Sequence, residues 1–167
     1  MKYKRSIVVI SPDLRLAERT GERLAHGSGA MFASGRKYLE YMLAGSDPDT
    51  AARRAGRDYV IKTASACVKA LAELDSAVIA LPAEYVDERS MASVSAGGYV
   101  IAADMPLAAA ADKLVSSEHS RAVKLSKRAA TEKWKLVRAN ADYLIKNVSR
   151  CDSFASRVID WIEENVQ

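Results

Sequence analysis

The sequence predicts an α/β fold: a small parallel sheet flanked by helices, with a helical C-terminal extension. Three observations predict it. Short apolar runs at residues 6–10 and 77–81 are bounded by turn residues, as buried strands are. Helical periodicity fills the chain between them, so the strands must be joined by crossovers. From residue 107 onward, apolar residues recur at three and four with few breaks.

Ser6-Ile-Val-Val-Ile10 is β-branched and lies between Lys4-Arg5 and Ser11-Pro12, which marks a buried strand. Asp13 caps a helix whose Leu14, Leu16, Ala17 and Leu24 share one side to about residue 25. His26-Gly-Ser-Gly29 breaks it. Helical spacing returns over 31–44, although the sheet needs one more short strand and residues 30–33 are the place for it. Gly45-Ser-Asp-Pro-Asp49 is a turn, 50–55 a short helix stopped by Gly56, and 58–74 a longer helix. Residues 75–82 form a second strand ended by Pro82, polar 83–95 a loop with room for a short helix, and 99–103 a third strand. Asp104-Met-Pro106 starts a helix, with proline where its missing N–H costs nothing. Trp134, Val137, Ala141, Leu144 and Val148 form an apolar seam, and Phe154, Val158, Ile162 and Val166 line a last helix. The α/β core is expected over 1–112 and the helical extension over 113–167.

A chain of 167 residues can bury a real core as one domain. Only 7% of residues are aromatic and alanine is frequent, which suits closely packed helices. Cys67 and Cys151 form no C-x-x-C pair, so both are expected as reduced thiols of a cytoplasmic protein. The apolar run Ile7-Val-Val-Ile10 is too short for a signal peptide or a membrane span, so no membrane is expected. His26 and His119 have no partner at ligand spacing, so neither a metal nor another cofactor is expected.

Charge is concentrated. Residues 1–120 are neutral overall, whereas 121–150 carry nine Lys/Arg against Glu132 and Asp142. On one helix, Lys124, Lys127, Arg128, Lys135 and Arg138 would fall near one side and could neutralise phosphates or meet an acidic protein. The alternative is a solvated outer face whose lysine stems cover apolar surface. The acidic last helix could also pair with the basic one in another subunit, so a homo-oligomer is expected.

Three motifs point to an anion. Gly29 to Gly35 resembles a phosphate loop, but five residues intervene and Arg36-Lys37 stand where the motif needs one lysine beside glycine. Backbone N–H groups there, with Arg36 and Lys37, could still hold an anion; a flexible linker is the other reading. Ser11-Pro12-Asp13 lies at the carboxyl end of the first strand, the edge where open parallel sheets bind ligands. Asp87-Glu-Arg89 follows the second strand, at the same edge or as a solvated loop. Thr50 to Leu74 has the outline of a helix-turn-helix, with few base-reading side chains.

Leu71-Ala-Glu-Leu-Asp75, Ser76 to Pro82 and Ser90-Met-Ala-Ser-Val-Ser-Ala96 resemble the nucleoside 2-deoxyribosyltransferase-like domains, a Rossmann-like family. The resemblance covers residues 67–106. It implies a nucleotide-processing fold, but Ala96 stands at the position of the nucleophilic Glu and Cys67 at that of an upstream catalytic Asp. Alanine cannot capture an anomeric carbon. The expectation is therefore a protein that binds a small anion such as a nucleotide or nucleoside phosphate without turnover and without catalytic residues. Its expected site combines Ser11, Asp13, Arg36, Lys37, Pro82, Asp87 and Ser90. The alternative is a nucleic-acid or protein-interaction module using 121–150.

Overall fold

The structure, a computed structural model, describes residues 3–146 and 150–166. Its described strands form one parallel sheet. Strand β1 (Ser6–Ser11) leads into α1 (Leu14–Ser28), and β2 (Met31–Ser34) into α2 (Gly35–Met42). Helices α3 (Pro48–Ala55) and α4 (Arg57–Ala72) precede β3 (Ala77–Pro82). A 3-10 turn (Ala83–Tyr85) and α5 (Glu88–Gly97) lead to β4 (Gly98–Asp104). Helices α6 (Leu107–Ser116), α7 (Glu118–Arg121) and α8 (Lys127–Asn140) come before β5 (Tyr143–Lys146), and α9 (Cys151–Asn165) closes the described chain.

The strand order is β2-β3-β1-β4-β5, with every pairing parallel. The two strands read from the sequence are neighbours in the register Ile7↔Val78 to Ser11↔Pro82. Both faces of the sheet are covered, which is why β1 and β3 are apolar throughout instead of alternating. Val8 and Ile10 belong to a cluster with α2, α4, α5, α6 and α8. Ile7 and Val9 belong to a second cluster beneath α1 and α9. All strands run the same way, so Ser11, Ser34, Pro82 and Asp104 end at one edge.

Three segments differ from expectation. Helix α1 runs through His26 and Gly27 to Ser28, and Gly29, in a left-handed conformation (φ 68°), caps it. The loop expected over 83–95 contains α5, because Asp87 accepts the Ser90 amide while the Ser90 hydroxyl accepts the Asp87 amide. The continuous helix expected after 107 is interrupted by β5. Asp142 fixes that strand: its N–H donates to the Val100 carbonyl and its carboxylate accepts the Val100 N–H, both at 2.8 Å. The boundary expected at 112–113 falls inside α6. No helix among the described residues is long and apolar enough to cross a membrane.

Candidate functional site

The carboxyl edge of the sheet opens into a cleft of about 480 Å³ between α1, α2, the start of α3, and α7. A second lobe of about 290 Å³ shares Leu14, Arg15 and Glu118 with it and reaches Asp13, Glu84, Lys113 and Ser117. The turn from β1 into α1 forms the shared floor. It has two residues, Pro12 and Asp13. The Asp13 carboxylate accepts the Arg15 N–H at 3.0 Å, and the Asp13 N–H donates to Ser11 Oγ at 3.1 Å. The helix N-terminus, which would attract a ligand anion, is thus capped by the chain's own carboxylate.

The charges in the larger lobe divide into engaged and free groups. Glu18 accepts from Ser34 Oγ at 2.7 Å and from Arg36 Nε at 3.3 Å. Arg36 also reaches Glu40 at 3.4 Å. Asp47 caps α3 through the Thr50 hydroxyl and amide, and these hydrogen bonds hold its carboxyl below the usual range. Asp49 pairs with Arg53 at 2.6 Å. Arg15, Lys113 and Arg121, by contrast, carry no ion pair among the described residues, and Glu118 is the free carboxylate between them. Four carboxylates are consumed internally while three cations are left facing the space.

Of the residues singled out from the sequence, Ser11, Asp13 and Arg36 lie at this edge. Pro82 ends β3, packed beside Gly35. Lys37 faces another groove, with Met31, Phe32, Tyr38 and Tyr41. Asp87 and the fully buried Ser90 form the α5 cap. Burial alone would raise the Asp87 pKa, but hydrogen bonds from the Ser90 amide, the Ser65 hydroxyl and the Ser90 hydroxyl outweigh it and hold the carboxyl low. Asp87 also lines a cavity of about 120 Å³ with Glu84, Val123, Leu125 and Lys133. The Lys133 ammonium donates to the Val86 carbonyl at 2.6 Å; burial lowers its pKa, opposed by Asp87 and Glu84. The sequence reading missed Arg15, Lys113 and Arg121. Their one signal was position, two residues past a helix cap or in the short segments near residue 118.

The basic stretch is not one helical face. Lys124 lies in the turn before α8 with φ +44°. Lys127 pairs with Asp112 at 3.2 Å, Lys135 with Glu132 at 3.1 Å, and Arg138 with Asp104 at 3.3 Å. Arg128 is exposed near the start of α8. Much of the charge counted along the sequence is therefore balanced in space.

Cys67 is buried in α4, its thiol donating to the Gly35 carbonyl at 3.6 Å, and burial pushes its pKa up to about 12. A thiol raised this far keeps its proton in the folded chain after the unfolded chain has lost it near pH 9. Stability is therefore whole below about pH 9 and falls as pH rises toward 12, by up to about 1.4 kcal/mol per pH unit. In a Cys151→Ser background, Cys67 should be silent to a thiol reagent at pH 8 until the protein is unfolded. Replacing Cys67 by alanine should flatten the alkaline loss in a melting-temperature series. Fast labelling of the native thiol would contradict this.

Comparison with known proteins bears on the fold. No family model and no curated protein matches the sequence. Among solved structures, the shikimate kinase of Acinetobacter baumannii in complex with shikimate superposes with TM-score 0.76 at 17% identity, over 96% of this chain and 94% of that one. The shikimate kinase of Aquifex aeolicus gives 0.77 at 16%, over 96% and 97%. A gluconokinase of Sinorhizobium meliloti gives 0.56 at 12%, over 99% and 95%. These neighbours overturn the resemblance to the nucleoside 2-deoxyribosyltransferase-like domains. The matched residues 67–106 form a helix-strand-helix-strand unit that any parallel α/β sheet repeats. The chain shares the α/β fold of these solved kinases, a parallel sheet flanked by helices.

Proposed function

We propose that the chain binds a nucleotide or nucleoside phosphate in the cleft over β1 and holds it without transferring a phosphoryl group. One observation carries the reading: Glu18, Glu40, Asp47 and Asp49 are engaged by the protein, while Arg15, Lys113 and Arg121, three cations against Glu118, carry no ion pair among the described residues and are left to meet an anion. The position supports it, since ligands of open parallel sheets bind at the carboxyl ends of the strands. The proposed lack of turnover rests on the β1–α1 turn. A phosphate loop cradles phosphates with glycine backbone N–H groups and a lysine. Here that turn is Pro12-Asp13, and no Gly-Lys pair occurs anywhere in the chain.

A thermal-shift panel of ADP, ATP, GDP and GTP tests it. A ligand at a hundred times its Kd adds about 2.7 kcal/mol, or about 5–10 °C in Tm for a chain of this size. Arg15→Ala with Arg121→Ala should abolish the shift and leave the unliganded Tm nearly unchanged, because both side chains are exposed. No shift from any nucleotide at millimolar concentration would refute binding, and ADP accumulating from ATP would refute the absence of transfer.

A further inference from the structure

We infer that the corner where α3 meets α4, together with the outer face of α4, is a binding surface for single-stranded nucleic acid. Every residue from 53 to 59 is exposed there. Within residues 53–62, Arg53, Arg54, Arg57 and Lys62 stand against Asp58. Asp49 engages Arg53; Arg54, Arg57 and Lys62 carry no ion pair among the described residues. Lys69 is exposed and unpaired too, seven residues past Lys62 and so on the same side of the helix, about 10 Å along its axis.

An aromatic ring accompanies this row. Tyr59, Lys62, Ala66 and Lys69 recur at three, four and three, and all are exposed, so they form one outward stripe. Tyr59 is 45% exposed and its neighbour Ile61 47%, among the most exposed large apolar side chains described. Unpaired cations in a row neutralise successive phosphates, and an open ring offers a stacking platform to a base. The opposite face of α4, with Val60, Ala64, Val68 and Leu71, is buried in the core. The helix is therefore held in place with its outer face open. The open Tyr59 ring favours a single strand over a duplex, because only unpaired bases can stack on it. The same cannot be said of 121–150, whose Lys127, Lys135 and Arg138 are paired within the chain.

The test is fluorescence anisotropy of the full chain with labelled oligo(dT) and oligo(U) of about 20 nucleotides at low salt. Saturable binding of either supports the inference, and the tighter one names the sugar. Arg54→Glu, Arg57→Glu and Lys62→Glu together should weaken it at least tenfold. They should also make the slope of log K against log salt shallower by about 2, at about 0.7 per lost phosphate contact. Tyr59→Ala should weaken binding about fivefold or more and leave that slope unchanged. Arg15→Ala with Arg121→Ala should have no effect, which separates this surface from the cleft. All substituted side chains are exposed, so an unchanged Tm confirms folding in each variant. No saturable binding, indifference to the triple charge reversal, indifference to Tyr59→Ala, or equally tight binding of a duplex would each overturn the inference.

Discussion

A Trp134→Ala variant should lose about 3–5 kcal/mol of stability, whereas Trp134→Phe should lose less than about 1.5 kcal/mol. Trp134 is fully buried in α8, in the same cluster as Ala110, Ala111, Leu114 and Val137. Helix α8 packs on α6, whose inward positions include two alanines, and these small side chains leave the space that an indole fills. Cutting the indole to a methyl group removes its contacts and leaves a cavity that the sheet beneath cannot collapse to fill. Phenylalanine keeps most of the volume. It also removes the indole N–H, which is buried without a hydrogen-bond partner among the described residues. An unpaired buried donor costs about 1–3 kcal/mol, so its loss offsets part of the lost packing. In a thermal melt the alanine variant should fall by about 6–20 °C. Equal losses for both variants would mean that the indole N–H has a partner and that the assignment of its cost is wrong.

The same packing explains which parts of the fold were legible. Strands β1 and β3 are buried on both faces, so they appear in the sequence as unbroken apolar runs closed by Ser11-Pro12 and Pro82. The edge strands β2 and β5 have four residues each and partly exposed patterns. Met-Phe-Ala-Ser and Tyr-Leu-Ile-Lys are too short for period two to separate from period three or four. Residues 143–146 read as helix because Trp134, Val137, Ala141 and Leu144 keep helical spacing; Val148, the last position of that seam, lies outside the described residues. What decides for strand is tertiary: the β4 edge, and the paired bonds between Asp142 and Val100. Helix α5 was hidden because its cap uses serine at the third position, where the readable signal is Glu or Gln.

The candidate site was legible at its floor and not at its rim. Asp13 is a helix cap by local chemistry, and the end of β1 is a ligand edge by topology. Whether an exposed arginine is free depends on carboxylates far away in sequence. Arg36 looks as available as Arg121 in the sequence, yet Glu18 and Glu40 hold Arg36 while Arg121 has no ion pair among the described residues. The basic stretch shows the mirror image of this. Asp104 and Asp112 lie outside the counted window and neutralise Arg138 and Lys127 across it. A charge sum along a sequence measures composition, and a field depends on where the counter-charges fold.

Glycines carry the sharpest consequence of this packing, because one substitution should have opposite signs at two of them. Gly97→Ala should destabilise by about 1–3 kcal/mol, while Gly27→Ala should stabilise by up to about 1 kcal/mol. A Cβ at Gly97 would stand 2.4 Å from the carbonyl oxygen of Ala72, the last residue of α4. That atom is backbone, so the clash cannot be relieved by turning a side chain. Helices α4 and α5 would have to separate, and the α5–β4 junction sits one residue away, with Gly98 itself pressed against the Ser6 carbonyl. Gly27 lies inside the last turn of α1 with nothing within 4 Å of the added methyl group. There alanine only restricts the unfolded chain and improves helix propensity. Chemical denaturation of both variants reads the two signs directly. A destabilised Gly27→Ala would show that α1 ends before residue 27, as the sequence alone suggested, and a neutral Gly97→Ala would show that α4 and α5 pack less closely than 2.4 Å requires.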